Sequence, residues 1–184
     1  MQVHFPIEFF GRIRYNAGRL FGGINMEDYK KLMEEIDRQE KELVFDSFTY
    51  DEAFELGSLF YEEAKKQNLP IVIDIVRNTQ QLFHAALPGS SADNDQWIIR
   101  KNRVVTRFGR SSFYIRNKLA ASCRTIEESF HLSEFEYAPN GGAFPLTIRN
   151  VGVVGTITVS GLAQEDDHAF VVSTIRKFLE SRNG

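Results

Sequence analysis

The sequence predicts one α+β domain, in which two β-hairpins form an antiparallel sheet among amphipathic helices. Two pairs of short β-branched runs carry the hairpins: 71–76 with 81–87, and 143–149 with 153–160, each pair joined by a short polar or glycine-bearing connection. Charged stretches before, between and after them repeat apolar residues at helical spacing. With 184 residues, 42% hydrophobic and 26% charged, the chain is long enough to bury a core without disulfides or a structural metal.

The elements follow in order. Residues 1–25 carry four glycines and no clean apolar period, so they read as an N-terminal extension, expected to be dispensable beside a domain spanning 26–184. Met26, at the start of that domain, reads as a second candidate for the translation start. A helix is expected from Met26, with Asn25 as its N-cap and Tyr29, Leu32, Met33 and Ile36 on one stripe. Residues 43–45 read as a short extended segment. Thr49 and Glu52 have capping-box spacing, and the helix they open sets Ala53, Leu56, Gly57, Phe60 and Ala64 on one face. After the first hairpin, a helix is expected from near Asp93 to Phe108, with Trp97, Lys101, Val104 and Phe108 along one edge and Gly109 as its stop. Another follows over 112–121, capped by Ser111 or Ser112, and then a polar connection. The second hairpin turns at 150–152, and Gly161 ends it. The last helix starts near Gln164, where Glu165, Asp166 and Asp167 suit the positive end of the helix dipole. Its stripe is His168, Val171, Val172, Ile175, Phe178 and Leu179.

Charge and cysteine usage exclude several classes. Cys123 is the single cysteine, so neither an internal disulfide nor a thiolate zinc cage is available, and a reducing, cytoplasmic setting is expected. No apolar run approaches the roughly 20 residues that span a bilayer, and the N-terminus lacks the basic-then-apolar order of a secretory signal. Segment 27–63 holds 13 acidic and four basic residues, whereas segment 96–126 holds eight basic residues and no acid. In a chain of net charge −3, this asymmetry favours two faces of one fold, or two subunits, meeting each other over a nucleic-acid surface.

Motifs for chemistry are sparse. No P-loop, dinucleotide fingerprint, nucleophile elbow or paired-histidine metal motif is present, so no catalytic residue is assigned and no metal site is expected. Gly141 and Gly142 precede a strand and allow the backbone to approach a ligand or a neighbouring helix closely; a bare turn is the alternative. His168 follows three acids on the apolar edge of a helix. It reads either as a base or iron ligand, or as a core histidine bonded to a neighbour.

Several segments in combination resemble a known family. They are Phe48-Thr-Tyr50, the run Asn94-Asp-Gln-Trp97-Ile-Ile-Arg100-Lys101 (an N-D-x-W-I-x-R-K motif), Phe108-Gly-Arg110-Ser-Ser112, Gly141-Gly142-Ala-Phe-Pro145 and Thr158-Val-Ser-Gly161-Leu-Ala-Gln164-Glu-Asp-Asp-His168. Together they resemble the haem-degrading-domain superfamily of GlcG- and HbpS-like proteins, in a functionally uncharacterised branch. The resemblance covers about residues 27–180. It implies a profilin-like, three-layer α/β/α fold with a central antiparallel sheet, assembly into a homo-oligomer, and a small-ligand site for haem or a related tetrapyrrole. That site is expected beside Gly141 and Gly142 at the start of the last helix, with His168 in or near it. Trp97, Arg100 and Arg110 join it, through stacking and charge pairing, only by the family pattern. The alternative is a non-catalytic homo-oligomeric scaffold that binds a protein partner through its charged faces.

Overall fold

The computed structural model describes residues 26–182, so the expected Asn25 cap lies outside the described residues. Ten elements follow one another: α1 (Met26–Glu42), α2 (Tyr50–Lys66), β1 (Val72–Arg77), β2 (Gln80–Ala86), α3 (Ala92–Phe108), α4 (Ser112–Ala121), α5 (Ile126–Phe130), β3 (Ala143–Ile148), β4 (Gly152–Ser160) and α6 (Gln164–Arg182). The strands form one antiparallel sheet in the order β2-β1-β4-β3. Both expected hairpins are present, and β1 and β4 pair to join them at the centre.

Local chemistry fixes the element ends. Thr49 accepts a hydrogen bond from the Glu52 backbone N–H while Glu52 accepts one from the Thr49 N–H, so the capping box that opens α2 is complete. Gly109 closes α3 in the left-handed region, at φ 62°. The Ser111 hydroxyl caps α4 by accepting from the Tyr114 N–H. Within the polar connection a second capping box, Thr125 with Glu128, opens the five-residue helix α5. The first hairpin turns through Asn78 and Thr79, both at positive φ, as a two-residue hairpin turn requires.

Strand alternation separates the two faces of the sheet. Ile73, Ile75, Phe144, Leu146, Ile157 and Val159 point to one side, where α2 and α6 cover them with Leu56, Phe60, Val171 and Ile175. The other side carries Asp74, Thr156, Thr158 and Ser160, all buried, and packs against α3. This second layer is polar. Asn102 of α3 donates to Asp74 at 2.9 Å and accepts from the Thr158 hydroxyl, and Gln81 donates to Asp74 at 2.7 Å. Burial pushes the Asp74 carboxyl above its usual range, with those hydrogen bonds opposing the shift.

Helix α1 closes the end of the molecule by packing on α4 through Leu32, Ile36 and Phe113. Here part of the charge asymmetry meets within one chain. Arg110 pairs with Asp37 at 2.9 Å and also with Glu40, and its guanidinium stacks on Tyr114 at 3.6 Å.

Candidate functional site

The two glycines before β3 set how closely three segments approach. A Cβ on Gly141 would stand 1.8 Å from the Gln164 carbonyl oxygen at the start of α6. Gly142, at φ +120°, would place one 2.5 Å from the Val159 oxygen and 2.7 Å from Lys101 Nζ. Of the two partners open to this pair, a neighbouring helix is the one observed, together with the β4 backbone.

That approach lays α3 along the β4–α6 corner and leaves an open cleft of about 270 Å³. Its lining comes from α3 (Asn94, Trp97, Lys101), from Asn140, and from the corner residues Ser160, Leu162, Gln164 and Asp167. Trp97 and Lys101 lie four residues apart on one α3 face, so both side chains reach the same wall.

An ion pair forms the floor. Lys101, 3% exposed, donates to Asp167 at 2.8 Å and to the Val159 carbonyl at 3.2 Å; Asp167, 1% exposed, also accepts the Leu162 N–H at 3.1 Å. Burial lowers the Lys101 pKa and raises that of Asp167, and the attraction between them opposes both shifts. In this geometry the ammonium and carboxylate cancel, so the floor is polar without net charge. Ser160 is 4% exposed, lines the cleft, and its side chain makes no hydrogen bond with any described residue. Gln164 Oε1 is buried without a partner among the described residues. Leaving a buried polar atom such as the Gln164 oxygen unpaired costs about 1–3 kcal/mol, whereas the Ser160 hydroxyl sits in the cleft lining, open to a partner.

The expected site residues divide. Trp97 lines the cleft, its indole N–H held by Asp93 at 3.0 Å, and Arg100 stacks on its ring at 4.1 Å. Gly141 and Gly142 shape the corner from behind. Arg110 belongs instead to the α1 contact described above. His168 is fully buried, with its ring 4.7 Å from that of Phe113, and is not among the cleft-lining residues. Gln39 donates to Glu35 at 3.0 Å, which turns its carbonyl oxygen toward His168, 3.0 Å from Nε2. The carbonyl can only accept, so Nε2 carries the proton and Nδ1 has no partner among the described residues. Desolvation depresses the His168 pKa to about 3, so the ring is neutral at ordinary pH.

Lys101, Asp167, Ser160, Asn94, Asn140, Leu162 and Gln164 were not expected site residues. Two signals pointed to some of them. A lysine on the same α3 edge as Trp97, Val104 and Phe108 needs a buried counter-ion. Thr156, Thr158 and Ser160 alternate with Ile157 and Val159, which marks a polar strand face.

Among the described residues, no group of three or more acidic, histidine or cysteine side chains is arranged to hold a metal ion, and no helix is long and apolar enough to cross a membrane. Residues 48–176 match the family described as haem degrading protein HbpS-like. A UPF0303 protein of Streptomyces coelicolor is 51% identical over 79% of this chain and 92% of its own length. The crystal structure of Ybr137w protein superposes with a TM-score of 0.78 at 36% identity, covering 83% of this chain and 90% of that one. A structure titled as a PduOC:Heme complex shares the fold, with a TM-score of 0.57 at 16% identity over 71% of this chain and 94% of that one. The chain belongs to the HbpS-like haem-degrading family, alongside the UPF0303 proteins.

Proposed function

We propose that the chain is a small-ligand-binding protein whose ligand sits in the cleft between α3 and the β4–α6 corner. The observation that carries this reading is the Ser160 hydroxyl, without a partner among the described residues in the wall of an opening floored by a neutralised ion pair. The cleft is more polar than most small-molecule sites, and it offers several hydrogen-bonding groups beside one aromatic wall. The cytoplasm is the proposed location, since the lone Cys123 needs no oxidising compartment.

Haem or a related tetrapyrrole is the second reading, favoured by the family description and by the haem-complex title of one fold neighbour. Iron-ligated haem does not fit this cleft as formed by one protomer. Among the described residues, no histidine, cysteine, methionine or tyrosine lines it, and His168 is fully buried against Phe113. At about 270 Å³ the open cleft lies near the lower end of small-molecule sites, so a tetrapyrrole there would extend well beyond it. A haem-binding mode would rest on the outer Trp97–Arg100 surface.

Haemin titration of wild type, His168→Ala and Trp97→Ala, followed at the Soret band, tests both readings. The cleft reading expects no saturable Soret shift in any of the three. A shift lost only in Trp97→Ala moves the protein to haem binding at that outer surface, and a shift lost in His168→Ala overturns the present account of the core. The competing reading, a homo-oligomeric scaffold that binds a protein partner, is favoured if no small molecule binds the cleft at all.

A further inference from the structure

The cleft's hydrogen-bonding inventory points to a ligand class. Beyond the mutually neutralised Lys101 and Asp167, its polar side chains are Asn94, Asn140, Ser160 and Gln164. Asn94 Oδ1 already accepts the Ser91 N–H at 2.8 Å, which leaves its amide N–H₂ to donate. The Asn140 and Ser160 side chains make no bonds among the described residues, and each can both donate and accept. Gln164 also lines the opening; its carboxamide oxygen is buried without a partner among the described residues, and a turn about its broad terminal torsion would present that oxygen to a ligand. Trp97 supplies a flat apolar wall, fixed through Asp93 and backed by Arg100.

Such a wall suits groups that donate and accept at once. A carboxylate only accepts, so it would leave the Asn140 oxygen unmatched, and the neutralised floor offers it no net attraction. An ammonium only donates, so it would leave the Asn94 and Asn140 amide N–H groups unmatched over the same neutralised floor. Hydroxyl groups satisfy both needs, and a carbon skeleton with one C–H face packs on an indole. We infer that the cleft binds a small uncharged polyol of carbohydrate type, with Ser160, Asn140 and Gln164 reading its hydroxyls and Trp97 its C–H face. This inference rests on the proposed ligand-binding role of the cleft.

Trp97 is the single tryptophan, so its fluorescence reports on this cleft alone. The full chain is titrated with glycerol, erythritol and glucose as polyol probes, and with lactate and ethanolamine as anionic and cationic controls. At least one polyol is expected to saturate the Trp97 signal, and the two charged controls are not. Ser160→Thr and Ser160→Val add the same bulk and differ in the hydroxyl, so the Val form is expected to bind about tenfold more weakly than the Thr form. Equal melting temperatures for the two variants establish that folding is not the cause. Saturation by lactate or ethanolamine while the polyols fail overturns the polyol class but leaves the binding role standing. Equal polyol affinity in both Ser160 variants overturns the assignment of Ser160. No saturable change with any of these probes overturns the polyol inference, while the binding role itself is tested by residue-resolved shifts with other small molecules.

Discussion

Lys101 is held by three constraints at once: its carbon stem lies in the α3 layer, its ammonium reaches Asp167, and Gly142 closes over the nitrogen. Removing one member of a buried ion pair leaves the other charge unpaired, at about 3–5 kcal/mol. Lys101→Met is therefore expected to lose that much stability in urea denaturation, with most of it restored in Lys101→Met/Asp167→Leu. A double variant as unstable as the sum of its singles would show that the two groups act independently. His168 gives a pH signature. Its folded pKa lies near 3 against an unfolded value of 6.5, so below about pH 6.5 the unfolded state binds a proton that the native state refuses. This contribution to stability is complete above pH 6.5 and declines as pH falls toward 3. Between pH 7 and pH 5 it amounts to about 2 kcal/mol. His168→Gln should lack that decline, and matching urea midpoints for both proteins across this range would contradict the sealed-imidazole account.

Elements with a strong local signal were legible in the sequence. The period of α1, the Thr49–Glu52 box of α2, the glycine stop after Phe108 and both hairpins are set by neighbours in the chain, and each stands where those neighbours put it. Helix α5 escaped, although Thr125 and Glu128 repeat the same box, because the five residues that follow are too few to show a period. The cleft escaped for a different reason. Asn94, Asn140, Ser160 and Gln164 come from separate elements, and only the closure of β4 onto α3 brings them together. Gly141 and Gly142 were visible as a close approach, but not which partner they approached. Gly142→Val should therefore act on the whole corner. With the Val159 oxygen 2.5 Å from the new Cβ, it is expected to cost about 3 kcal/mol or more and to lower the melting temperature. A Gly142→Val protein as stable as wild type would mean that the corner opens at little cost.

For the whole molecule, among the described residues α1 packs on α4, and α2 and α6 share one core with the sheet. A chain starting at Met26 is expected to keep the melting temperature and hydrodynamic mass of the full chain. A drop of many degrees, or a change in assembly, would give the extension a structural role. We further expect a homo-oligomer. Arg110 is already paired within the chain with Asp37 and Glu40, so the cations left for contact between copies include Arg107, Arg116 and Arg124, and charge reversal there should disturb assembly more than folding. The central claim is that the opening between α3 and the β4–α6 corner is the place where this protein binds a small molecule. The most direct measurement is a screen of water-soluble fragments against ¹⁵N-labelled protein, read residue by residue. The account predicts that saturable shifts gather at the Trp97 indole and the amides of Ser160, Gly161, Leu162 and Gln164. Saturable shifts gathered elsewhere, such as the exposed Tyr50–Phe54 surface, with the Trp97 indole unmoved, would contradict it.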